Sequence, residues 1–561
     1  MGKLALACAA MLSVLGCGND PNETPDGGID PIDPCDPPDR VGACPPRGLY
    51  DGPVTVELNG PEATDAIHYT LDGTEPSESS SRYGEALSIS PDAATGPVVV
   101  LRAVAFHQDG SRTPIETHSY VFPQAVLSQP ALPAGHPETW GFGDNTRAGD
   151  YQMDSRAIAA PGDDVEAASA LATALTVSLV LDHNDLWQPA SGIYMRPSAS
   201  GDDFERAASV ELIFPDGESI SGRAGLSIQG GSSTTNWKSS KLSMRLKFGG
   251  EHGSGPLRAE LFDGSPVFGF ANLILDAHLN FTWIHPDQGQ RDNALYVGDQ
   301  LVARLLNNAG TLAPRTRPVH LYLNGLYWGL YDLHERPDEH FAAAHLGGSA
   351  SGWDVLRHDA QTIVSGDATA YNEMFNIARA GLADAGRYQA ISELLAIDAF
   401  IDYMLINFFA GNDDWDHHNW YAIRSRSDNT GNGGFRFISW DAEHVFKDVD
   451  VDVTATENAG APTELYAELL ASPDFRARLS ARAAELYSEG GALHVNQVTA
   501  QFAELTTELS PHLLLESARW GDNQSPADPH LRSSWQATTA ALLQDYFPAR
   551  SDIAAAQLPS P

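Results

Sequence analysis

Cysteine is scarce, with four in 561 residues. That excludes a disulfide-built scaffold and a multi-zinc array. Basic residues are also few: 34 Lys and Arg stand against 74 Asp and Glu, a formal net charge of −40. Phosphate and anionic bilayers are held by Lys and Arg, so nucleic acid is not expected as a partner. Long uncharged apolar runs are missing too. The most apolar stretch, Ile391 to Ala410, carries Glu393, Asp398 and Asp402 and predicts a buried helix rather than a bilayer span. What is present is an apolar fraction of 42%. It is enough to fill a sizeable core, which rules out wholesale disorder. At roughly 150 residues per domain the length suggests three or four domains, unless one large domain absorbs much of it.

The N-terminus reads as an address. Lys3 precedes a short apolar stretch, Leu4 to Leu15, with the shape of a signal h-region. It ends in Leu12-Ser-Val-Leu-Gly-Cys17, which resembles a bacterial lipobox. That resemblance implies a signal peptide over 1–16, cleavage before Cys17 and a diacylglycerol on its sulfur. A plain secretory signal is the alternative. Either way the mature chain is expected outside the cytoplasm, and the lipobox makes it a lipoprotein of the outer membrane or cell surface, touching membrane through its lipid anchor only. From Gly18 to Asp39 there are seven acidic residues, six prolines and no base, a solvated tether within the segment 17–47. Cys35 and Cys44 are left as an even pair in an oxidising compartment, where a local disulfide is expected.

Residues 48–122 change character. Alternating runs such as Val54-Thr-Val-Glu-Leu58 and Ile67-His-Tyr-Thr-Leu71 are separated by Asp72-Gly73 and Asp109-Gly110, the spacing of a β-sandwich. Ile67-His-Tyr-Thr-Leu-Asp-Gly-Thr-Glu-Pro-Ser77, with Leu101-Arg-Ala-Val-Ala105, resembles the chitobiase/β-hexosaminidase C-terminal-type module. No aromatic platform demands a sugar, so a spacer is the expected role. Residues 123–173, rich in Pro, Gly and Ala, read as a partly wrapped connector.

From residue 174 to 561 the pattern is that of a large α+β domain with a helical C-terminal part. Gln229-Gly-Gly-Ser-Ser-Thr-Thr235 is a glycine and hydroxyl loop, and it leads into Lys241-Leu-Ser-Met-Arg-Leu-Lys-Phe248. Alternation places Lys241, Ser243, Arg245 and Lys247 on one face of a strand. Backbone N–H groups of Gly230, Gly231, Ser232 and Ser233 together with a fixed ammonium suit phosphate, although such a basic face is also what a solvated strand shows. Asn324-Gly325 between apolar alternations predicts a hairpin. Glu335 ends its second strand, where a carboxylate could meet Lys241 or simply start a helix. After the apolar helix comes the densest polar cluster, Gly411-Asn-Asp-Asp-Trp-Asp-His-His-Asn-Trp-Tyr421, then Phe435 to Trp440 and Asp441-Ala-Glu443. Asp414 and Asn419 have the D-x₄-N spacing of a kinase catalytic loop, and Asp441 is a second carboxylate at a strand end. Capping residues without a metal would leave the same signature.

Taken in order, Gly230-Gly-Ser-Ser233, Lys241, His320 to Tyr331, His334-Glu-Arg-Pro-Asp338, Asp414…Asn419-Trp-Tyr421 and Ser439-Trp-Asp-Ala-Glu443 resemble the spore coat protein H (CotH) kinase-like family. The resemblance implies an atypical protein-kinase-like fold and transfer of phosphoryl from ATP, with Mg²⁺ or Mn²⁺, to secreted or envelope protein. It assigns Lys241 to the nucleotide phosphates, Asp414 to catalysis, and Asn419 and Asp441 to the metal, with Glu335 as the partner of the lysine. Two other readings compete. One is a non-catalytic surface lipoprotein, a pseudokinase with a sandwich that binds glycan or protein. The other is a metal hydrolase using Asp413, Asp414, Asp416, His417 and His418. That set is expected to converge poorly, because neighbours on an extended segment point to opposite sides.

Overall fold

The computed structural model describes residues 35, 37, 39–62, 64–91, 96–427 and 433–559. The signal segment, Cys17 and the tether up to residue 34 lie outside the described residues. A β-rich N-terminal region precedes a large α+β region that ends in helices.

The N-terminal module pairs a three-stranded sheet (Gly42–Cys44, Val54–Asn59, Leu87–Ile89) with a five-stranded one built around Val98–His107. Alternation drives it: Val56 and Leu58 are buried while Thr55 and Glu57 are exposed. The module begins before residue 48. Gly42–Cys44 pairs with Val54–Asn59, and the Cys35–Cys44 disulfide sits at that edge.

This module is docked on the large domain. The strand Val98–His107 is buried on both faces along most of its length. Val99, Leu101, Ala103 and Ala105 fill the sandwich. Val98 and Val100 point the other way, into a shared core with Tyr322, Tyr327 and Leu514. At the same junction Arg47 meets the buried Glu211 at 2.8 Å. Ser119 donates to the same carboxylate through its hydroxyl at 2.5 Å and its N–H at 3.2 Å. Burial pushes the Glu211 carboxyl up, and Arg47 and Ser119 oppose it.

Residues 123–173, expected as a connector, are structural. They form a hairpin (Thr139–Phe142, Asn145–Ala148) and a helix, Asp163–Thr173. Trp140 and Tyr151 are fully buried against Trp187, Tyr194 and Trp328. A few large anchors in a Pro- and Gly-rich stretch leave no periodic signal, which is why the pattern looked loose.

The large domain has two parts. The first is a closed seven-stranded barrel: Leu175–Val180, Arg206–Ile213, Ser219–Gln229, Ser243–Lys247, Asn272–Asp276, Leu326–Glu335 and Thr316–Leu323. Its last strand returns parallel to its first, Leu175 facing Val319. Asn324 and Gly325 turn the hairpin with φ of 46° and 81°, the left-handed conformations a two-residue turn needs. The second part is a four-stranded sheet, ordered Asp359–Ser365, Trp353–Arg357, Trp420–Ser425, Arg436–Ser439, packed with helices. Its central helix, Ile397–Ala410, is apolar on nearly all sides and buried, as such a helix must be. Asp402 on it pairs with Arg482 at 2.6 Å. Among the described residues no helix is long and apolar enough to cross a membrane.

Candidate active site

A cleft of about 340 Å³ opens where the barrel meets the second part. Gly230, Gly231, Ser232, Ser233, Lys241, Asp414, Asn419 and Asp441 all line it. Residues up to 211 positions apart in sequence, from Gly230 to Asp441, are therefore brought to one place.

The glycine loop leaves the end of the strand Ser219–Gln229. Gly230 has φ of 133°, and a Cβ there would fall 2.4 Å from Ser233 Oγ, so only glycine fits. A side chain on Gly231 would meet nothing within 4 Å. The loop is closed by Thr234 and Thr235, whose hydroxyls both donate to the Gly231 carbonyl, at 3.0 and 3.1 Å.

Lys241 lies just before the strand Ser243–Lys247 rather than on it. It is fully buried, unlike a residue on a solvated face. Ser239 Oγ accepts from its N–H at 3.1 Å and donates to its carbonyl at 2.6 Å, which fixes the backbone. Its Nζ donates to the Leu330 carbonyl and to Glu516 Oε1, the latter at 2.7 Å, and lies 4.7 Å from the centre of the Tyr331 ring. Burial lowers its pKa, and Glu516 partly offsets that.

Glu335 is not its partner. Glu335 accepts from the Arg315 N–H at 2.9 Å and faces His345 Nε2 at 2.8 Å, and it does not line the cleft. The reason is register. Lys241 reaches its strand at Leu330, five residues before Glu335, roughly 16 Å away at the rise of a strand. Glu516 comes instead from the helix Leu513–Trp520, and its Oε2 also accepts from the Leu330 N–H at 3.0 Å. Close approach of that helix depends on Gly329, where a Cβ would lie 2.6 Å from Trp520 Nε1. Arg519 on the same helix ties it to the segment expected as a connector, through the Asp150 carbonyl at 2.6 Å and carboxylate at 3.2 Å. The run Glu516-Ser-Ala-Arg-Trp-Gly-Asp522 is visible in the sequence, but nothing local assigns it to a lysine 275 positions away.

The opposite wall is the loop after the helix Ile397–Ala410. Gly411 ends that helix with φ of 59°. Asp416 (φ 87°) and Asn419 (φ 66°) then turn the chain tightly. Asp416 is buried and structural. It accepts from the Thr463 N–H and Asn458 Nδ2, both at 3.0 Å, and from the Thr463 hydroxyl. Trp415 Nε1 donates to Tyr403 Oη at 2.6 Å, and the Asn419 N–H donates to His358 Nδ1 at 2.9 Å. Burial, then the charge of Arg357, pushes His358 down to about 4, in keeping with an accepting, neutral ring. Because the loop turns, His417 and His418 both face Asp414, with Nε2 atoms 3.8 and 3.4 Å from Oδ1. The expectation of poor convergence holds for Asp413 and Asp416 but not for these three.

Asp441, in left-handed backbone at φ 52°, points its charge toward other charges. Burial raises its pKa well above the usual carboxylate range, and the carboxylates of Asp276 and Glu443 raise it further. Among the described residues no hydrogen-bond donor reaches its carboxylate. Asn419 uses Nδ2 on the Asp414 carbonyl at 2.9 Å, which leaves Oδ1 without a described partner. Two hard oxygens on one cleft, one of them an unsatisfied carboxylate, fit a magnesium or manganese ion. Glu443 is committed elsewhere, accepting from Leu279 N at 3.1 Å, Asn280 N at 3.3 Å and Asn280 Nδ2 at 2.8 Å. The sequence reading missed His278, which bridges Asp276 at 3.4 Å and Asp332 at 3.2 Å, and His334, which faces Asp299 at 3.2 Å. His278 has no motif around it, and His334 opens the run His334-Glu-Arg-Pro-Asp338 without a role that its neighbours assign.

Comparison with known families gives two matches. The CotH kinase protein model covers residues 226–553, and the Chitobiase/beta-hexosaminidase C-terminal domain model covers residues 45–117. No curated protein matches the chain.

Proposed function

The chain belongs to the CotH kinase family, and from that premise we propose that it is a metal-dependent phosphotransferase acting on a hydroxyl of a secreted or envelope protein. One observation carries the reading: a single cleft gathers a buried lysine, a glycine and hydroxyl loop, an Asp414 faced only by His417 and His418, and the oxygens of Asn419 and Asp441. In this reading the N–H groups of Gly230 to Ser233 approach the nucleotide phosphates, and the Lys241 ammonium pairs with them while Glu516 holds it in place. Asp414 accepts the proton of the acceptor hydroxyl. The oxygen so freed bonds the γ-phosphorus, and the bond to the nucleoside diphosphate oxygen breaks. Asn419 and Asp441 would hold magnesium or manganese, which neutralises phosphate charge when bound. We also propose that Cys17 carries the lipid that keeps the protein at the envelope, outside the cytoplasm.

The test is calorimetric titration with ATP and magnesium or manganese, run beside a phosphoryl-transfer assay. Asp414→Ala is expected to abolish transfer and keep nucleotide binding, because it acts on the acceptor. Asp441→Ala is expected to weaken both. If the unaltered protein gives neither heat nor transfer with either metal, the non-catalytic binding-protein reading replaces this one.

A further inference from the structure

We propose that Asp414, His417 and His418 form a binding site for a borderline transition-metal ion of the zinc class, distinct from the hard-oxygen pair Asn419 and Asp441. Its consequence for catalysis rests on the phosphotransferase reading above; the binding itself does not.

Most carboxylates around this loop are already engaged. Asp416 is spent on Thr463 and Asn458. Asp413 is bound to Lys447. The other convergent set, Asp276, His278 and Glu443, is closed: His278 is held between carboxylates, and Glu443 accepts three hydrogen bonds from residues 279 and 280. Asp414, His417 and His418 differ. Among the described residues their side-chain ligand atoms face one another and no other hydrogen-bond partner, and they lie within 4.8 Å of one another. Zinc bonds of about 2.0–2.2 Å in a tetrahedron put neighbouring ligand atoms roughly 3.3 Å apart. The two histidine-to-Asp414 distances, 3.4 and 3.8 Å, need only small rotations to reach that.

Ligand chemistry separates this site from the one beside it. Two imidazoles and one carboxylate suit zinc, cobalt or copper, whereas magnesium takes oxygen. Access is open, because the His417 and His418 side chains are 52% and 37% exposed. The loop is pinned on either side of the two histidines, by the Trp415 indole on Tyr403 Oη and by the Asn419 N–H on His358 Nδ1. Three protein ligands leave a fourth position for water. An ion here would occupy the carboxylate that must take the acceptor proton, so zinc would inhibit transfer without displacing nucleotide.

The experiment uses the purified full chain without nucleotide, titrated with Co²⁺ and followed by the visible absorption of tetrahedral cobalt, then back-titrated with Zn²⁺. One cobalt per chain, displaced by zinc, is expected. His417→Ala and His418→Ala should each weaken it at least tenfold, of the order that lost metal-site groups cause. Circular dichroism of each variant checks that it is folded. Absence of the band in the unaltered protein, or equal affinity in folded His417→Ala and His418→Ala, overturns the proposal. In the transfer assay with magnesium present, zinc should inhibit the unaltered protein, and both histidine variants should need about tenfold more. If transfer is never seen, the cobalt arm still decides the site, and only the phosphotransferase reading has failed.

Discussion

On the barrel side of the cleft, Lys241 is enclosed by Glu516, the Leu330 carbonyl and the Tyr331 ring. On the other side, Asp414 faces only the imidazoles of His417 and His418, and Asp441 has no described donor and is crowded by Asp276 and Glu443. One wall is satisfied within the protein, and the other keeps Asp441 among like charges. Buried charge is tolerated in the first case because it is paired. At Asp441, burial and the neighbouring carboxylates penalise the ionised form, and a cation would relieve that.

The largest effect should come from breaking the satisfied wall. Lys241→Ala or Glu516→Ala strands the opposite charge where both side chains are at most 1% exposed. Each is expected to destabilise the fold by about 3–5 kcal/mol. The double variant Lys241→Met with Glu516→Leu should recover much of that, since no charge is left unpaired. On the open wall, Asp441→Asn should do the reverse and raise the melting temperature of the metal-free protein, because it removes the repelled charge. Thermal melts of the four variants measure the contrast, and equal losses on both walls would sink it.

A pH series sharpens the same contrast. Burial opposes the charged form of His334, but its hydrogen bond to Asp299 raises it to about 9. A pKa raised on folding gives stability that is complete below the ordinary value of 6.5 and is lost as pH rises through about 9. The expected loss is about 3 kcal/mol at most. His334→Gln should flatten stability between those two values. Urea melts at fixed intervals of pH would show it, and an unchanged slope would remove His334 from the account.

The smallest effect is expected at the Cys35–Cys44 bond. It closes a span of only nine residues at the module's edge. Chain-entropy reasoning limits its contribution to about 2–3 kcal/mol, felt in the sandwich. Cys35→Ser with Cys44→Ser should leave the cleft's cobalt and nucleotide titrations unchanged.

Legibility followed the range of each interaction. The Asn324-Gly325 turn, the sandwich alternation and the helix Ile397–Ala410 are set by neighbours in sequence, and their residues announce them. The residues from Gly230 to Asp441 were found through resemblance and spacing, since only the fold puts them on one cleft. Glu516 could not be read. A pairing across 275 positions leaves no local pattern, and Glu335 offered a nearer carboxylate at the end of a strand. The segment 123–173 failed for a different reason: it is held by single anchors such as Trp140, Tyr151 and Asp150, and single anchors have no period.

The position of Glu516 also sets an order of events during synthesis. Translation makes Lys241 long before its counter-charge, and 275 residues must follow before the helix Leu513–Trp520 exists. Until then the barrel contains a lysine that it cannot bury without a penalty, and Gly329 faces no helix. The nascent chain therefore cannot complete the lysine wall of its cleft piecemeal. If the chain is exported unfolded, as the proposed lipid anchor on Cys17 would require, its cleft would be finished only after its last helices had followed it across.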